Sequence, residues 1–366
     1  MANYQASKKT AKSEKNTRDS IRECCECVIL IHGYANHPVS MSDLARSLYQ
    51  RGYAVINWCY ASMAQSITAS AQQLSEVYAL NAPFYEKVHV VTHSMGGLVL
   101  RRLLKLSSPD ALDRLGNIVM LAPPNNGVSI ARMISNGPLR PLLTTEAVRR
   151  FFGPSAWELQ DAAHIREICA IPETNVMVIA GTLPFHPWSL LSFVGVRLLQ
   201  PPHDGTLTLE ETRLPTATRA ITVPTAHDLI PSHPRTVAET LRFLGNEASD
   251  RETTGEGPRV RYRKSLLNVL GITAREWPLL HTLPALPMPP IPRPEPPLLW
   301  YDVASVRGWR LQRHLFAGCY RLLDPDNVGR VWGGKESMLQ TFRERVGAGG
   351  YGGQTESREA GAIATR

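Results

Sequence analysis

The chain has 366 residues, 43% of them hydrophobic and 20% charged, with 40 Lys and Arg against 32 Asp and Glu for a formal net charge of +8. It is too apolar to be a disordered polymer, and at roughly 100–200 residues per domain it holds one large domain with an appendage, or two domains. The longest apolar runs, such as Ser189–Val196, fall short of the roughly 18 residues that span a bilayer.

The basic excess is thinly spread. Residues 1–26 carry six basic and four acidic side chains, residues 27–245 carry seventeen and fifteen, and residues 246–366 carry seventeen and thirteen. Without a basic block, no nucleic-acid footprint is expected. If the excess serves a partner, an anionic membrane surface met weakly and peripherally by the flanks is the candidate. The polar opening segment lacks the apolar core of a secretory signal, so a cytoplasmic location with reduced thiols is expected for the six cysteines. Cys24, Cys25 and Cys27 are dense enough to suggest a metal but lack a second ligand pair at zinc spacing, and Cys27 also opens an apolar run. A buried thiol is the plainer reading.

Residues 1–26 read as a polar N-terminal segment. From Cys27 to Gly245, short β-rich runs alternate with helical patterns. Val28–Ile31 precedes a helix over Ser42–Arg51, and Tyr53–Trp58 precedes one over Ile67–Leu80. Val88–Thr92 precedes a helix over Gly96–Leu106 and is followed by Ile118–Leu121. After a long insertion, Val176–Ala180 and Ala220–Val223 complete the runs, and Pro234–Leu244 closes as a helix. Continuous Val/Ile runs suit strands buried on both faces, and their alternation with helices predicts an α/β fold with a parallel sheet.

Residues 246–298 read as a linker and spacer, with nine prolines among the twenty residues from Pro278 to Pro297. Such density favours extended polyproline geometry. Residues 299–346 regain aromatic, globular character and are expected to form a small appendage that docks on the main domain. Residues 347–366 read as a Gly/Ala-rich disordered tail.

The sharpest motif is Val90-Val91-Thr92-His93-Ser94-Met95-Gly96-Gly97. A strand runs into a serine, and a helix begins directly after it. A nucleophile held on so sharp a turn needs small neighbours two positions away. Gly96 meets that need; Thr92, on the other side, does not. The motif resembles the nucleophile elbow of the α/β-hydrolase superfamily, in the His-Ser-Met-Gly-Gly form of small bacterial lipases and esterases. The resemblance covers Cys27–Gly245. It implies an α/β-hydrolase fold with a mostly parallel sheet flanked by helices, minimal at its N-terminal strands, and a cap or lid over about 127–171.

The same resemblance implies roles. Ser94 would be the nucleophile. His32-Gly33-Tyr34 resembles the superfamily's oxyanion turn, so the backbone N–H groups of Tyr34 and Met95 would bind the developing oxyanion, with His32, Gly33, His93 and Gly96 supporting the motif. In the order serine, acid, histidine, Asp204 would orient His227, and His227 would carry the Ser94 proton. Asp204 lies in a turn, His203-Asp204-Gly205-Thr206-Leu207, and His227 in a loop before the last helix. His203 and Asp228 adjoin these residues, and Glu173 would lie at the wrong end of its strand. Leu121-Ala122-Pro123-Pro124-Asn125-Asn126-Gly127 looks like the Pro-x-x-Gly turn of lipase-like members.

The implied activity is hydrolysis of small-molecule or lipid carboxylic esters through an acyl-enzyme, with no metal or organic cofactor. An acyltransferase or thioesterase on the same triad is the alternative within enzymes, and a non-catalytic binding scaffold the alternative outside them. Leu142, Leu143, Phe151, Phe152 and the run Phe185–Phe193 are the apolar side chains available to line an acyl pocket. Two weaker signals are set aside. Gly329–Lys335 has P-loop spacing but Glu336 in place of Ser or Thr, and Pro287–Pro290 has a P-x-x-P spacing that also suits a plain spacer.

Overall fold

The computed structural model of the chain describes residues 26–137, 145–146, 152–172, 174–184, 190–245, 284–287, 300–314 and 319–347. Its first sheet begins with β1 (Glu26–Ile31), followed by α1 (Ser42–Gln50), β2 (Ala54–Trp58), α2 (Ile67–Asn81), β3 (Lys87–His93), α3 (Gly96–Leu106) and β4 (Leu115–Leu121). An insertion carries α4 (Ser129–Asn136), α5 (Pro154–Glu158) and α6 (Ala162–Ile168). Then come β5 (Val176–Gly181), α7 (Leu190–Leu198), the single turn α8 (Leu209–Thr212), β6 (Arg219–Val223) and α9 (Pro234–Leu244). The six strands are parallel, in the order β2-β1-β3-β4-β5-β6.

The alternation of side chains along each strand sorts the core into two layers. Val28, Leu30, Val91, Val119, Leu121, Met177 and Ile179 face one side and meet Leu44 and Leu48 of α1 and Leu244 of α9. Ile29, Ile31, Val90, Ile118, Met120 and Val178 face the other and meet Ile67 and Leu74 of α2 and Leu98 and Leu103 of α3. Each fully buried aliphatic side chain contributes about 1.5–3 kcal/mol relative to exposure. Every strand and helix expected between Cys27 and Gly245 is present, with ends shifted by at most three residues. β6 differs in kind: as an edge strand it is only partly buried, ending in buried Val223.

The chain runs outward from β1 to β2 and then returns to the other side of β1 for β3. Such a reversal of strand order is a switch point, and in doubly wound sheets ligands usually lie beyond the carboxyl ends of the strands there. Register keeps those ends level: Ile31 pairs with Thr92, His93 with Leu121, and Gly181 with Val223.

The C-terminal part forms a second, antiparallel sheet from β7 (Leu286–Pro287), β8 (Trp300–Val306), β9 (Trp309–His314), β10 (Tyr320–Leu323) and β11 (Gly329–Gly333), closed by α10 (Lys335–Gly347). The order is β7-β11-β10-β9-β8. Two residues of the expected proline spacer are thus an edge strand, where a proline without an N–H is tolerated. The P-loop spacing at Gly329–Lys335 falls on β11 and the start of α10, with no open phosphate loop. Ala304, Val306, Leu311, Leu322, Met338 and Phe342 join the core layer of α2 and α3, so the two sheets share one apolar cluster.

Among the described residues, no helix is long and apolar enough to cross a membrane. Cys27, Cys59, Cys169 and Cys319 are buried and form no disulfide with one another. Cys24 and Cys25 lie outside the described residues, as do almost all of the expected linker and all of the expected tail except Gly347, which ends α10.

Candidate active site

Ser94 stands between the end of β3 and the start of α3 with φ +51°, in the left-handed region that L-residues seldom enter. Such a conformation costs of order 1–3 kcal/mol and persists only when its surroundings enforce it. Here the Ser94 N–H donates to the Leu121 carbonyl at 2.8 Å, and the Ser94 carbonyl accepts from the Gly97 N–H at 3.0 Å. Close packing explains the glycine after the elbow. A Cβ on Gly96 would fall 2.6 Å from the Ile31 carbonyl oxygen and 2.8 Å from that of His32. Thr92, the departure from the expected pattern, is fully buried. Gly97 packs close to it: a Cβ there would stand 3.3 Å from Thr92 Oγ1 and 3.0 Å from the Pro123 Cβ.

Asp204 and His227, the residues expected as acid and base, are brought together from different strand ends. Asp204 lies in the loop between β5 and β6, packed over Gly181, where a Cβ would approach the Asp204 Cβ to 2.8 Å. Its Oδ1 accepts from the N–H groups of Thr206 and Leu207 at 2.9 and 2.7 Å. Its Oδ2 sits 2.7 Å from His227 Nδ1. A second link, from the His227 N–H to the Asp204 carbonyl at 3.0 Å, ties the two loops together. Both side chains are buried. A carboxylate accepts and does not donate, so Nδ1 carries the proton and Nε2 is left as the basic nitrogen.

The neighbouring candidates do other things. His203 uses Nδ1 to accept from the Gly205 N–H at 3.1 Å, within its own turn. Asp228 lies in the first turn of a 3-10 helix, while Nδ1 of His227 is met by Asp204. Glu173 lies outside the described residues.

The His32-Gly33-Tyr34 turn leaves β1 directly over the elbow. A Cβ on Gly33 would lie 2.9 Å from the Ser94 Cβ, so only glycine allows this approach. His32 is fully buried and stacked on Tyr60 with ring centroids 4.5 Å apart. Its Nδ1 lies 2.9 Å from the Gly33 carbonyl and its Nε2 3.4 Å from the Tyr60 N–H, which fits one neutral tautomer. Burial pushes its pKa down to about 3. Tyr34 follows Gly33 in that turn, and Met95 is the N-cap of α3, where the first N–H groups of a helix lack intrahelical partners.

His93 joins three of these pieces. It precedes Ser94, its Nδ1 would be 3.4 Å from a Cβ on Gly33, and its Nε2–H donates to the His227 carbonyl at 3.0 Å. Its ring centroid is 4.9 Å from that of His227. Burial holds its pKa down at about 3, so this ring is neutral and serves as a brace.

The Pro-x-x-Gly turn, for which the sequence suggested no role, anchors the segment that follows the Asp204 turn. Asn125 donates to the Thr212 carbonyl at 3.0 Å, and Asn126 to the carbonyls of Glu210 and Arg213, each at 3.0 Å. Buried Arg101 of α3 donates to Asn125 Oδ1 at 2.9 Å and to the Ala170 carbonyl at 2.8 Å. Glu211 accepts from the Ser129 N–H and closes a capping box with Thr208. The Thr-x-x-Glu spacing of that box was readable in sequence; the Arg101 and Asn125 contacts are long-range and were not.

Of the apolar residues expected near an acyl pocket, Leu142, Leu143, Phe151 and 185–189 lie outside the described residues, while Phe152 is partly exposed. Among the described residues, no three His, Cys, Asp or Glu side chains are placed to hold a metal ion.

A sequence family described as Domain of unknown function (DUF7379) matches residues 1–171. No curated protein matches the chain. Among solved structures, the mature form of Bacillus licheniformis lipase BlEst2 is similar over 60% of this chain and 92% of its own, with 21% identity and a TM-score of 0.50. The metagenomic carboxyl esterase MGS0156 is similar over 61% of this chain and 76% of its own, with 18% identity and a TM-score of 0.50. At these identities the likeness speaks to architecture, and with the parallel sheet and its crossovers it shows that the chain has the α/β-hydrolase fold.

Proposed function

We propose that the protein is a serine hydrolase of carboxylic esters, with Ser94 as nucleophile, His227 as general base and acid, and Asp204 as the group that orients it. The observation that carries this reading is the buried 2.7 Å contact between Asp204 Oδ2 and His227 Nδ1, braced through His93 against a serine held at positive φ. The names of the similar structures, a lipase and a carboxyl esterase, agree with it.

In this mechanism His227 Nε2 takes the Ser94 hydroxyl proton as Oγ attacks the ester carbonyl carbon. Negative charge moves to the carbonyl oxygen, where the Tyr34 and Met95 N–H groups meet it; each such donor is worth about 10²–10³ in rate. The intermediate collapses as the carbon–oxygen bond breaks, and His227 passes its proton to the departing alkoxide. Water then attacks the acyl-enzyme, gives a proton to His227, and releases the acid while Ser94 regains its proton. Asp204 keeps the Nδ1–H tautomer throughout and stabilises the transient imidazolium.

A fluorophosphonate probe should label Ser94, and replacing His227 with Ala should abolish the labelling. Ser94→Ala should lower kcat on a p-nitrophenyl ester by roughly 10⁴–10⁶ with the fold intact. Near-normal turnover in that variant would overturn the assignment. Faster acyl transfer to an added alcohol or thiol than to water would move the reading to a transferase.

A further inference from the structure

The insertion between β4 and β5 is seated on the loop that precedes α2 by several specific contacts. Gly153 has φ +74°, and a Cβ on it would fall 1.5 Å from the Met63 carbonyl oxygen, so two backbones are in direct contact there. Buried Ser155 donates its hydroxyl to the Ser62 carbonyl at 2.6 Å. Glu158 accepts the Ile67 N–H, at the amino end of α2, at 2.7 Å. The seat fixes the position of the backbone just before Gly153.

One group crosses from that backbone to the candidate site. The Tyr34 hydroxyl donates to the Phe152 carbonyl at 2.7 Å, at the solvent-facing rim. Tyr34 belongs to an irregular turn whose next residue, Ala35, has φ +49°. The inner end of the turn is held by the His32 ring. Its outer end is held by this tyrosine. Burial raises the Tyr34 phenol above its ordinary range, so it stays protonated and able to donate.

We infer that the Tyr34 hydroxyl is a strap: the oxyanion turn reaches its working geometry only when the insertion is seated and Phe152 accepts the bond. The inference rests on the serine-hydrolase reading, which gives the Tyr34 amide to the oxyanion, and adds to it a positioning role for the Tyr34 side chain. It makes the insertion part of the transition-state machinery. The physical ground is that a misplacement of about 1 Å at a reacting centre can cost about 10² in rate, and one oxyanion donor is worth a similar amount.

The test uses the full chain and Tyr34→Phe, which removes one oxygen and leaves the amide. On a p-nitrophenyl ester, kcat should fall about ten- to hundred-fold with KM changed less than about three-fold. Amide hydrogen exchange across 152–158 should quicken in the same variant. Ser155→Ala loosens the seat without touching Tyr34 and should lower kcat in the same direction. A kcat within two-fold of the parent in either variant, or a fall in Tyr34→Phe with unchanged exchange over 152–158, would overturn the strap. Failure of the fluorophosphonate to label Ser94 in the parent would instead remove the serine-hydrolase reading beneath it.

Discussion

Buried histidines are unusually dense around Ser94, and their burial has a consequence for stability. His32 and His93 are both held near pKa 3 by loss of solvation, against about 6.5 in an unfolded chain. Between those limits the unfolded state binds protons that the folded state does not. Stability should therefore be complete above about pH 6.5 and decline as pH falls toward 3, by up to about 1.4 kcal/mol per pH unit for each histidine. Urea midpoints at pH 7.5, 6 and 5 would show the decline, and it should be shallower in His93→Gln, which retains an N–H donor for the His227 carbonyl. A midpoint that holds steady or rises on acidification would contradict this account. At this scale the sequence was most informative about residue type. It singled out His93 as a supporting residue. It could not show which carbonyl His93 meets, because His227 lies 134 residues away and only the closed sheet brings the two together.

Among the elements, the loop that carries Asp204 is held from two sides. The Pro-x-x-Gly turn grips its outer part through Asn125 and Asn126, and α7 presses on its tip. A Cβ on Gly195 of α7 would fall 2.1 Å from the Gly205 carbonyl oxygen, one residue beyond Asp204. Gly195→Ala should push the turn away and weaken the Asp204–His227 contact. Ester turnover is expected to fall more than about ten-fold, since catalysis depends on the base's orientation. A folded Gly195→Ala protein with parental kcat would show that α7 does not set the acid. Strands and helices of this region were legible because apolar period and end signals act over a few residues: Ser66 caps α2, and Pro234 opens α9. Gly195 was not legible, since a glycine inside an apolar run says nothing of what it touches.

On the scale of the whole molecule, the second sheet is joined to the first by polar contacts as well as apolar ones. Buried Asn81, at the end of α2, donates to the Val303 carbonyl at 3.2 Å and accepts the Ser305 N–H at 3.3 Å, as a neighbouring strand would. Tyr85 donates to the Ser305 carbonyl, and Lys335 pairs with Glu76 at 2.7 Å. Asn81→Leu should leave two β8 peptide groups unpaired, lower stability by about 1–3 kcal/mol, and speed amide exchange at Ser305. Unaltered exchange at Ser305 would mean that Asn81 does not hold β8 in place.

The sequence by itself determined the order of strands and helices from Cys27 to Gly245, the elbow at Ser94, and the turns that carry Tyr34, Asp204 and His227. These follow from patterns spanning a few residues. Only the tertiary structure decided how closely Asp204 meets His227, that Gly97 packs against Thr92 and Pro123, and that Arg101, Asn125, Tyr34 and Asn81 are joints between distant segments. It also drew Leu286–Pro287 into a sheet. Those outcomes depend on which groups are brought within hydrogen-bonding distance when the crossovers close, and no local pattern encodes that distance. The aromatic residues after Trp300 announced a core. Their partner was the layer of α2 and α3, already exposed by the first sheet and waiting to be covered.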